Sequence, residues 1–394
     1  MQEPQEYHSP HRKFLQKGVL VCVVVLFIIC GTLSITLSKT CYTLQAENFE
    51  NDLVYFRKPL FFNSLMFFAM ALCTFPYLLL KYVFSDKMSK PKEYTTKHLL
   101  YLFFPALLAF SATYLQNIGL VYIHGSVFQM LRGSVIIFIA LLQYFIKKRK
   151  LLLHQIVGVL IVVVAITLVG SSSFMIPSNK NPGATTHSIH KFIGISCILF
   201  AQLLNACSGL VEESLLHDAE IPPSLIVSVE GWFGVSFSVG TILFLQFMPI
   251  PADTLIKENT AETLLMMVRK PTIYALVNAY VLVVLFFNLT GMTITSQINA
   301  LTRNVIDPLR MITIWLTGLF IHYVITNKLG EALSWATLIQ VFGFIVLAIG
   351  FFVYAGIIPL PFFGTTIKTE NENIQPILQD DEIDENEMNI HKED

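Results

Sequence analysis

The chain has 394 residues, and 26 Lys and Arg against 27 Asp and Glu give a formal net charge of -1. Hydrophobic residues make up 54% of the sequence and charged residues only 13%, about half the share that is usual in soluble domains. This composition excludes a soluble enzyme, and the balanced charge excludes a nucleic-acid-binding surface. Apolar runs of roughly 20 residues recur along almost the whole chain, which is typical of a multi-span membrane protein.

Ten hydrophobic segments are long enough to cross a bilayer as helices, so we predict an all-α membrane protein with ten transmembrane helices. Basic residues precede the first segment, but no clean signal-peptidase site follows it, and we interpret it as an uncleaved span. The predicted spans are residues 16–38, 61–84, 99–122, 126–146, 151–170, 192–216, 225–248, 272–290, 300–321 and 334–357.

The spans fall into two sets of five, and an odd number of spans per half places the halves in opposite orientations, as in inverted-repeat transporters. A weak internal similarity agrees with two repeats, because Met130-Leu131-Arg132 in the fourth span has a counterpart in Pro308-Leu309-Arg310 in the ninth. The predicted divisions are a cytoplasmic N-terminal segment (1–15), the first repeat (16–170), a non-cytoplasmic linker (171–191), the second repeat (192–357) and an acidic, disordered cytoplasmic tail (358–394).

Positive charge is retained on the cytoplasmic side of membrane proteins, and this rule orients the chain. With the N-terminus inside, 14 of the 26 Lys and Arg lie in cytoplasmic segments, and Lys147-Lys148-Arg149-Lys150 is the strongest cluster among them. We therefore predict that both termini are cytoplasmic.

Charged and amide side chains inside the spans are the candidate site residues, because each charge costs about 2.5–3.5 kcal/mol to place at the centre of a bilayer. Such residues must face the bundle interior or a water-filled cavity. The candidates for substrate binding or coupling lie in the fourth, sixth, seventh and ninth spans, and they are Gln129, Arg132, Glu212, Glu213, Glu230, Arg303, Asp307 and Arg310.

Two interpretations of these charges remain open at the level of sequence. Asp307 lies four residues after Arg303 and three before Arg310, so one carboxylate can bridge two guanidinium groups along a helix and serve only to hold the structure together. Arg132 and the glutamates have no local partner in sequence, which favours a role in handling a substrate or a proton. The sequence contains no signature of a phosphate-binding loop, a zinc-binding helix or a nucleophile turn.

Five runs lie around these residues: Phe128-Gln129-Met130-Leu131-Arg132-Gly133-Ser134-Val135-Ile136-Ile137-Phe138, Val211-Glu212-Glu213, Glu230-Gly231-Trp232-Phe233-Gly234, Thr302-Arg303 and Asp307-Pro308-Leu309-Arg310. They resemble solute carrier family 35, subfamily F, of the drug/metabolite transporter superfamily, and the similarity extends over residues 31–354. The resemblance implies two inverted five-helix repeats around a central cavity lined by the first, third, fourth, sixth, eighth and ninth spans.

We therefore expect a secondary active transporter that moves a small polar metabolite across an endomembrane (lysosome, vacuole or Golgi) by alternating access, with proton linkage as one form of coupling. Nucleotide-sugar transport and a non-transporting membrane scaffold remain as alternatives. We expect no enzymatic activity, no cofactor and no metal. The expected partners are the solute, the lipid bilayer and a second copy in a homodimer, and the acidic tail is a candidate binding segment for sorting or scaffold proteins.

Overall fold

The computed structural model describes residues 10–83, 100–146, 148, 151–175, 188–219, 223–247, 258–297, 310–325, 335–354, 356 and 358. Apart from one short hairpin, the regular structure in these residues is helical. The elements are α1 (Pro10–Thr43), β1 (Gln45–Glu47), β2 (Leu53–Tyr55), α2 (Pro59–Leu72), α3 (Thr74–Val83), α4 (Phe103–Tyr122), α5 (Gly125–Arg132), α6 (Val135–Phe145), α7 (Leu153–Met175), α8 (Ser188–Ala219), α9 (Pro223–Phe247), α10 (Thr260–Arg269), α11 (Pro271–Gln297), α12 (Arg310–Phe320) and α13 (Trp335–Tyr354).

Within the described residues, nine helical segments are long and apolar enough to cross a membrane, and they match nine of the ten predicted spans. The other predicted span, residues 300–321, begins outside the described part of the chain. Its described portion is α12 followed by a π-helical turn at Ile321–Ile325, and together they form a shorter apolar helix. The chain is a multi-pass membrane protein.

Two spans predicted as single helices are interrupted. The second span ends one helix at Leu72 and starts the next at Thr74, because Pro76 lacks the N–H that a continuous helix would bond to residue 72. The fourth span breaks between α5 and α6, where the Gly133 and Ser134 amides each donate to a carbonyl three residues back. This tighter turn comes directly after Arg132. It therefore sets the direction of the chain at the end of α5.

A β-hairpin and the amphipathic helix α10 lie together at one end of the bundle, which we name the hairpin end; neither element is among the predicted ones. The hairpin turn forms because Asn48 Oδ1 accepts the amides of Glu50 and Asp52 at 2.9 and 2.8 Å. Asn51 adopts a φ of 64°, a left-handed conformation that asparagine tolerates. Strands β1 and β2 pair antiparallel, with Ala46 opposite Val54.

Most of the packing joins a helix of the first half to a helix of the second half. Helix α1 packs on α11 and α12, α8 packs on α4 and on the α5–α6 pair, and α9 and α11 both pack on α2. In addition, α4 packs on α9, α5 on α12 and α7 on α13. The large buried core therefore contains residues from both halves of the chain, including Val127, Ile198, Tyr280 and Leu347.

Glycines allow the closest of these approaches. A Cβ atom at Gly231 of α9 would lie 2.6 Å from the carbonyl carbon of Met70 and 2.8 Å from the Cα of Ala71, both in α2. These are backbone atoms that a side-chain rotation cannot move. The contact between α2 and α9 thus requires glycine at position 231, as in other small-residue contacts between membrane helices.

Replacing Gly231 with Ala is expected to lower the thermal stability of the detergent-solubilised protein, because overpacking in a tight core costs about 1–3 kcal/mol. Gly240 on the same helix is a matched control, since a Cβ there meets no atom within 4 Å. Gly240→Ala should leave the melting temperature unchanged or raise it slightly, because alanine has the better helix propensity. Equal melting temperatures for the two variants would show that α2 and α9 do not approach as closely as described.

Candidate functional site

The guanidinium of Arg310 is enclosed at the start of α12, where the residue is only 1% exposed. Its Cζ lies 4.8 Å from the ring centre of Phe287 on α11 and 5.7 Å from that of Phe27 on α1. The two rings are themselves stacked, with centroids 4.6 Å apart. The aromatic faces stabilise the cation electrostatically.

Helix α1 approaches this arginine through a residue without a side chain. A Cβ atom at Gly31 would overlap the Arg310 side chain. Glycine at this position therefore leaves the space that the guanidinium occupies beside α1. One residue later, the hydroxyls of Thr32 and Thr313 are hydrogen-bonded at 2.6 Å and fasten α1 to α12. Three helices, α1, α11 and α12, therefore hold Arg310 in one position.

A second arginine lies at the end of α5, which packs directly on α12. Arg132 is half-buried, and its Nη1 donates to Gln129 Oε1 at 3.4 Å. Its guanidinium also lies 5.9 Å from the ring centre of Phe128, while Gln129 itself is 1% exposed. The two candidates from the fourth span thus form one hydrogen-bonded group on a helix that contacts the helix of Arg310.

Helix α8 carries a polar stripe that ends at Glu212. Asn205 donates to Gln202 at 3.3 Å, and one turn later the Ser208 hydroxyl lies 2.9 Å from the Pro105 carbonyl of α4 and 2.8 Å from Glu212 Oε1. The Ser208 hydroxyl has one proton to donate and two oxygen atoms within hydrogen-bonding distance. The Glu212 carboxyl is therefore coupled to the α4–α8 contact.

The remaining predicted residues divide into one that is placed and three that are not. Glu230 is 5% exposed on α9, beside the glycine that contacts α2. Arg303 and Asp307 lie outside the described residues, as does the side chain of Glu213. The predicted bridge of Asp307 to Arg303 and Arg310 consequently stays a prediction, and the groups described beside the Arg310 guanidinium include the rings of Phe27 and Phe287.

Lys39 is a half-buried charge whose role the sequence did not predict. It lies in α1, and its Nζ donates to the carbonyls of Leu120 and Val121 at 2.6 and 3.2 Å. These carbonyls belong to the last turn of α4, where no amide of the same helix donates to them and where the helix dipole favours a cation. Lys39 therefore stabilises the end of α4.

The chemistry available at this site is recognition by hydrogen bonding and charge. Buried guanidinium groups bind carboxylates and phosphates through paired N–H donors. Among the described residues, no three His, Cys, Asp or Glu side chains lie close enough together to hold a metal ion. Helices α5 and α12 carry the two arginines from different halves of the chain, so a solute between these helices would contact both halves.

Comparison with known proteins gives a family match for one part of the chain. Residues 52–171 match the sequence model of the EamA-like transporter family. The matched stretch extends from β2 into α7 and includes Gln129 and Arg132, whereas Glu212, Glu230 and Arg310 lie beyond it.

Similar proteins match over longer stretches of the chain than the family model does. An uncharacterised protein of Schizosaccharomyces pombe is 29% identical over 267 residues, which are 67% of this chain and 76% of that protein. Human solute carrier family 35 member F6 is 29% identical over 262 residues, and its rat counterpart 28% over 260. This chain spans just under two thirds of these carriers, 66% of the human and 65% of the rat protein.

The resemblance to solute carrier family 35 that the sequence motifs indicated is confirmed by these matches. The prediction that the chain is not an enzyme is likewise confirmed, since the matching domain family and the named relatives are transporters and solute carriers.

Proposed function

We propose that the protein is a secondary active transporter that carries a small polar metabolite across an endomembrane by alternating access. The observation that carries this proposal is the enclosure of Arg310 by α1, α11 and α12 in the interior of a multi-span bundle. A membrane scaffold gains nothing from a buried guanidinium that is costly to insert. A carrier uses such a group to bind a solute near the middle of the bilayer.

The helix contacts support two inverted repeats with Arg132 and Arg310 in equivalent positions. If each span of the first half is exchanged with the span five places later, the α1–α11 contact becomes the α8–α4 contact, and the α1–α12 contact becomes the contact between α8 and the α5–α6 pair. The α4–α9 contact likewise becomes α11–α2, and the contacts α2–α9, α5–α12 and α7–α13 map onto themselves. A pseudo-two-fold axis in the plane of the membrane would produce this pattern.

The two arginines indicate the chemical class of the solute. Guanidinium groups on α5 and α12 suit a solute with a carboxylate or another small anionic group. The carboxyls of Glu212 and Glu230 on α8 and α9 add negative charge to the second half, which favours a zwitterion or an anion that moves with a proton. We include Glu213, Arg303 and Asp307 in the proposed site on sequence grounds alone.

Orientation follows from charge in the proposed arrangement. Lys147 to Lys150 and both termini face the cytoplasm, and the hairpin end faces the lumen of the organelle. The transporter then samples a luminal and a cytoplasmic environment in turn, and the pH of the lumen acts on the hairpin end.

Uptake by proteoliposomes tests the proposal without a known substrate. The purified protein is reconstituted, the vesicles are incubated with a uniformly ¹³C-labelled metabolite extract, and retained solutes are identified by mass spectrometry. We expect one or a few polar metabolites to accumulate above the level in protein-free vesicles, with and without an imposed pH gradient. Equal content in both vesicle types under both conditions would favour a scaffold role and contradict the proposal.

A further inference from the structure

Glu258 is a buried carboxyl group that joins the two halves of the chain at the hairpin end. It precedes α10 in the second half, yet its two oxygens accept the amides of Leu60 and Phe61 in the first turn of α2, at 2.5 and 2.9 Å. Amides in the first turn of a helix have no acceptor within the helix. Glu258 is 7% exposed and thus caps α2 from a distant part of the chain.

Polar contacts between residues 45–58 and residues 258–270 surround this cap, and we name the whole assembly the clasp. Lys58 Nζ pairs with Glu262 Oε2 at 3.0 Å, and Lys270 Nζ donates to the Gln45 carbonyl at 2.5 Å. Arg269 donates to the Asn48 carbonyl at 2.5 Å and lies 3.9 Å from a carboxylate oxygen of Glu47. The clasp therefore ties the hairpin to α10 and must separate if the halves move apart at this end.

Three ionisable groups, on elements packed around Glu258, are electrostatically coupled to it. Lys58, at the start of α2, attracts the negative charge of Glu258, and it also forms an ion pair with Glu262 on α10. The hydroxyls of Tyr42 on α1 and Tyr114 on α4 are electrostatically coupled to Glu258. Both hydroxyl oxygens are buried and have no hydrogen-bond partner within the described residues.

We propose that Glu258 is a proton-binding site and that its protonation holds the clasp closed. The proton is the ligand, and the carboxyl oxygen takes it from water at the hairpin end when the clasp is open. Glu258 is not one of the residues in the proposed solute-binding site. The proposal is independent of which solute the protein carries, and it rests on the proposed function only for its place in a transport cycle.

The direction of the effect follows from the pKa of Glu258 in the closed clasp. Burial raises the pKa of Glu258 to about 7, and the two amide hydrogen bonds and Lys58 lower it by less. In an opened clasp the carboxyl would be hydrated, with a pKa of about 4.3. Because the closed clasp binds the proton more tightly, protonation stabilises closure. This contribution is fully present below about pH 4.3 and is lost as the pH rises through about 7.

This direction gives the clasp a defined place in alternating access. If the hairpin end faces an acidic lumen, Glu258 takes up a proton there and the luminal side closes. At a higher luminal pH the buried carboxylate would be charged, which favours its return to water and an open clasp. The acidity of the lumen would then drive the transporter toward its cytoplasm-facing state.

Hydrogen exchange at the Leu60 and Phe61 amides tests the proposal, because Glu258 is the described acceptor of both. Protection factors measured by mass spectrometry divide out the intrinsic pH dependence of exchange. We expect both factors to fall between about pH 4.3 and about pH 7, by at most roughly tenfold per pH unit, and to level off above about pH 7, as one proton requires. Amides in the middle of α2 should change little. Protection that stays flat or rises with pH would overturn the proposal.

Three variants assign the effect to Glu258. Glu258→Gln should abolish the pH dependence, whereas Glu262→Gln, which removes a neighbouring carboxyl, should retain it. Lys58→Met should shift the decline to higher pH, because loss of the positive charge raises the pKa of Glu258, and it keeps the test decisive if Glu258→Gln does not fold. Persistent pH dependence in Glu258→Gln, or an unmoved midpoint in Lys58→Met, would contradict the assignment. Since no solute is present, failure here is distinguishable from failure of the transport proposal.

Discussion

Replacing Arg310 with Met is expected to leave a folded protein that no longer transports. Methionine has a similar length, and its thioether packs well against aromatic rings such as Phe27 and Phe287. Exchanging a buried charge for an apolar group of similar volume is often neutral for folding. A hydrogen bond to a charged group contributes about 1.5–3 kcal/mol, so loss of the contact with the solute should lower uptake about 10- to 100-fold.

Size-exclusion chromatography and thermal unfolding report the folding of Arg310→Met, and proteoliposome uptake reports its function. Gly31→Ala provides a second route to the same effect, because the added Cβ displaces the Arg310 side chain while its charge is retained. Gly18→Ala on the same helix is the matched control, since a Cβ there meets nothing within 4 Å. Normal uptake by Arg310→Met would show that this arginine is structural.

Arg132→Gln is expected to reduce uptake by a comparable factor, because the proposed repeats place Arg132 and Arg310 in equivalent positions. Arg132 is only half-buried, so its replacement should lower the melting temperature less than a change in the core would. Gln129 loses a 3.4 Å hydrogen bond in this variant, but a glutamine at position 132 can replace that donor.

Lys148→Gln is a suitable control for Arg132→Gln, because it also removes one positive charge but at an exposed position between α6 and α7. It should transport at the wild-type rate. If Arg132→Gln also transported normally, the solute would not contact α5, and the equivalence of the two arginines would have no functional meaning.

The positions of the membrane spans could be predicted because long apolar runs have few structural alternatives in a bilayer. Their ends were less accurate. Helix α1 extends to Thr43, beyond the predicted end at residue 38, since Ser38 and Thr43 bond their hydroxyls to carbonyls of their own helix. Lys39 satisfies its charge on α4 in the same stretch. A hydropathy average counts such residues as polar and cannot register these internal contacts.

The elements of the hairpin end were missed although two local signals were present. Asn259 followed by Glu262 and an apolar run is the signature of a helix start, and Asn259 Oδ1 indeed accepts the amides of Ala261 and Glu262 at 3.1 and 3.4 Å. Asn48 and Asn51 similarly mark a turn. These short signals could have indicated α10 and the hairpin.

The residues of the candidate site could be predicted from the sequence, but the groups that each of them contacts could not. A charge inside an apolar run is conspicuous in sequence, which is how Arg132, Glu230 and Arg310 were selected. The aromatic enclosure of Arg310 depends on helices that are distant in sequence, and Glu258 lies in a polar loop where a carboxylate is ordinary. Its burial arises only because the first turn of α2 comes to it from the other half of the chain.

Counterflow in proteoliposomes tests alternating access most directly. Vesicles are preloaded with unlabelled metabolite extract or with buffer, and the initial entry of ¹³C-labelled solutes from the same extract is compared. A carrier that exposes one site to each side in turn should take up its solute faster into preloaded vesicles, and Arg310→Met should show no such stimulation. Labelled solutes that enter equally fast into both vesicle types and with both proteins would contradict transport through the site described.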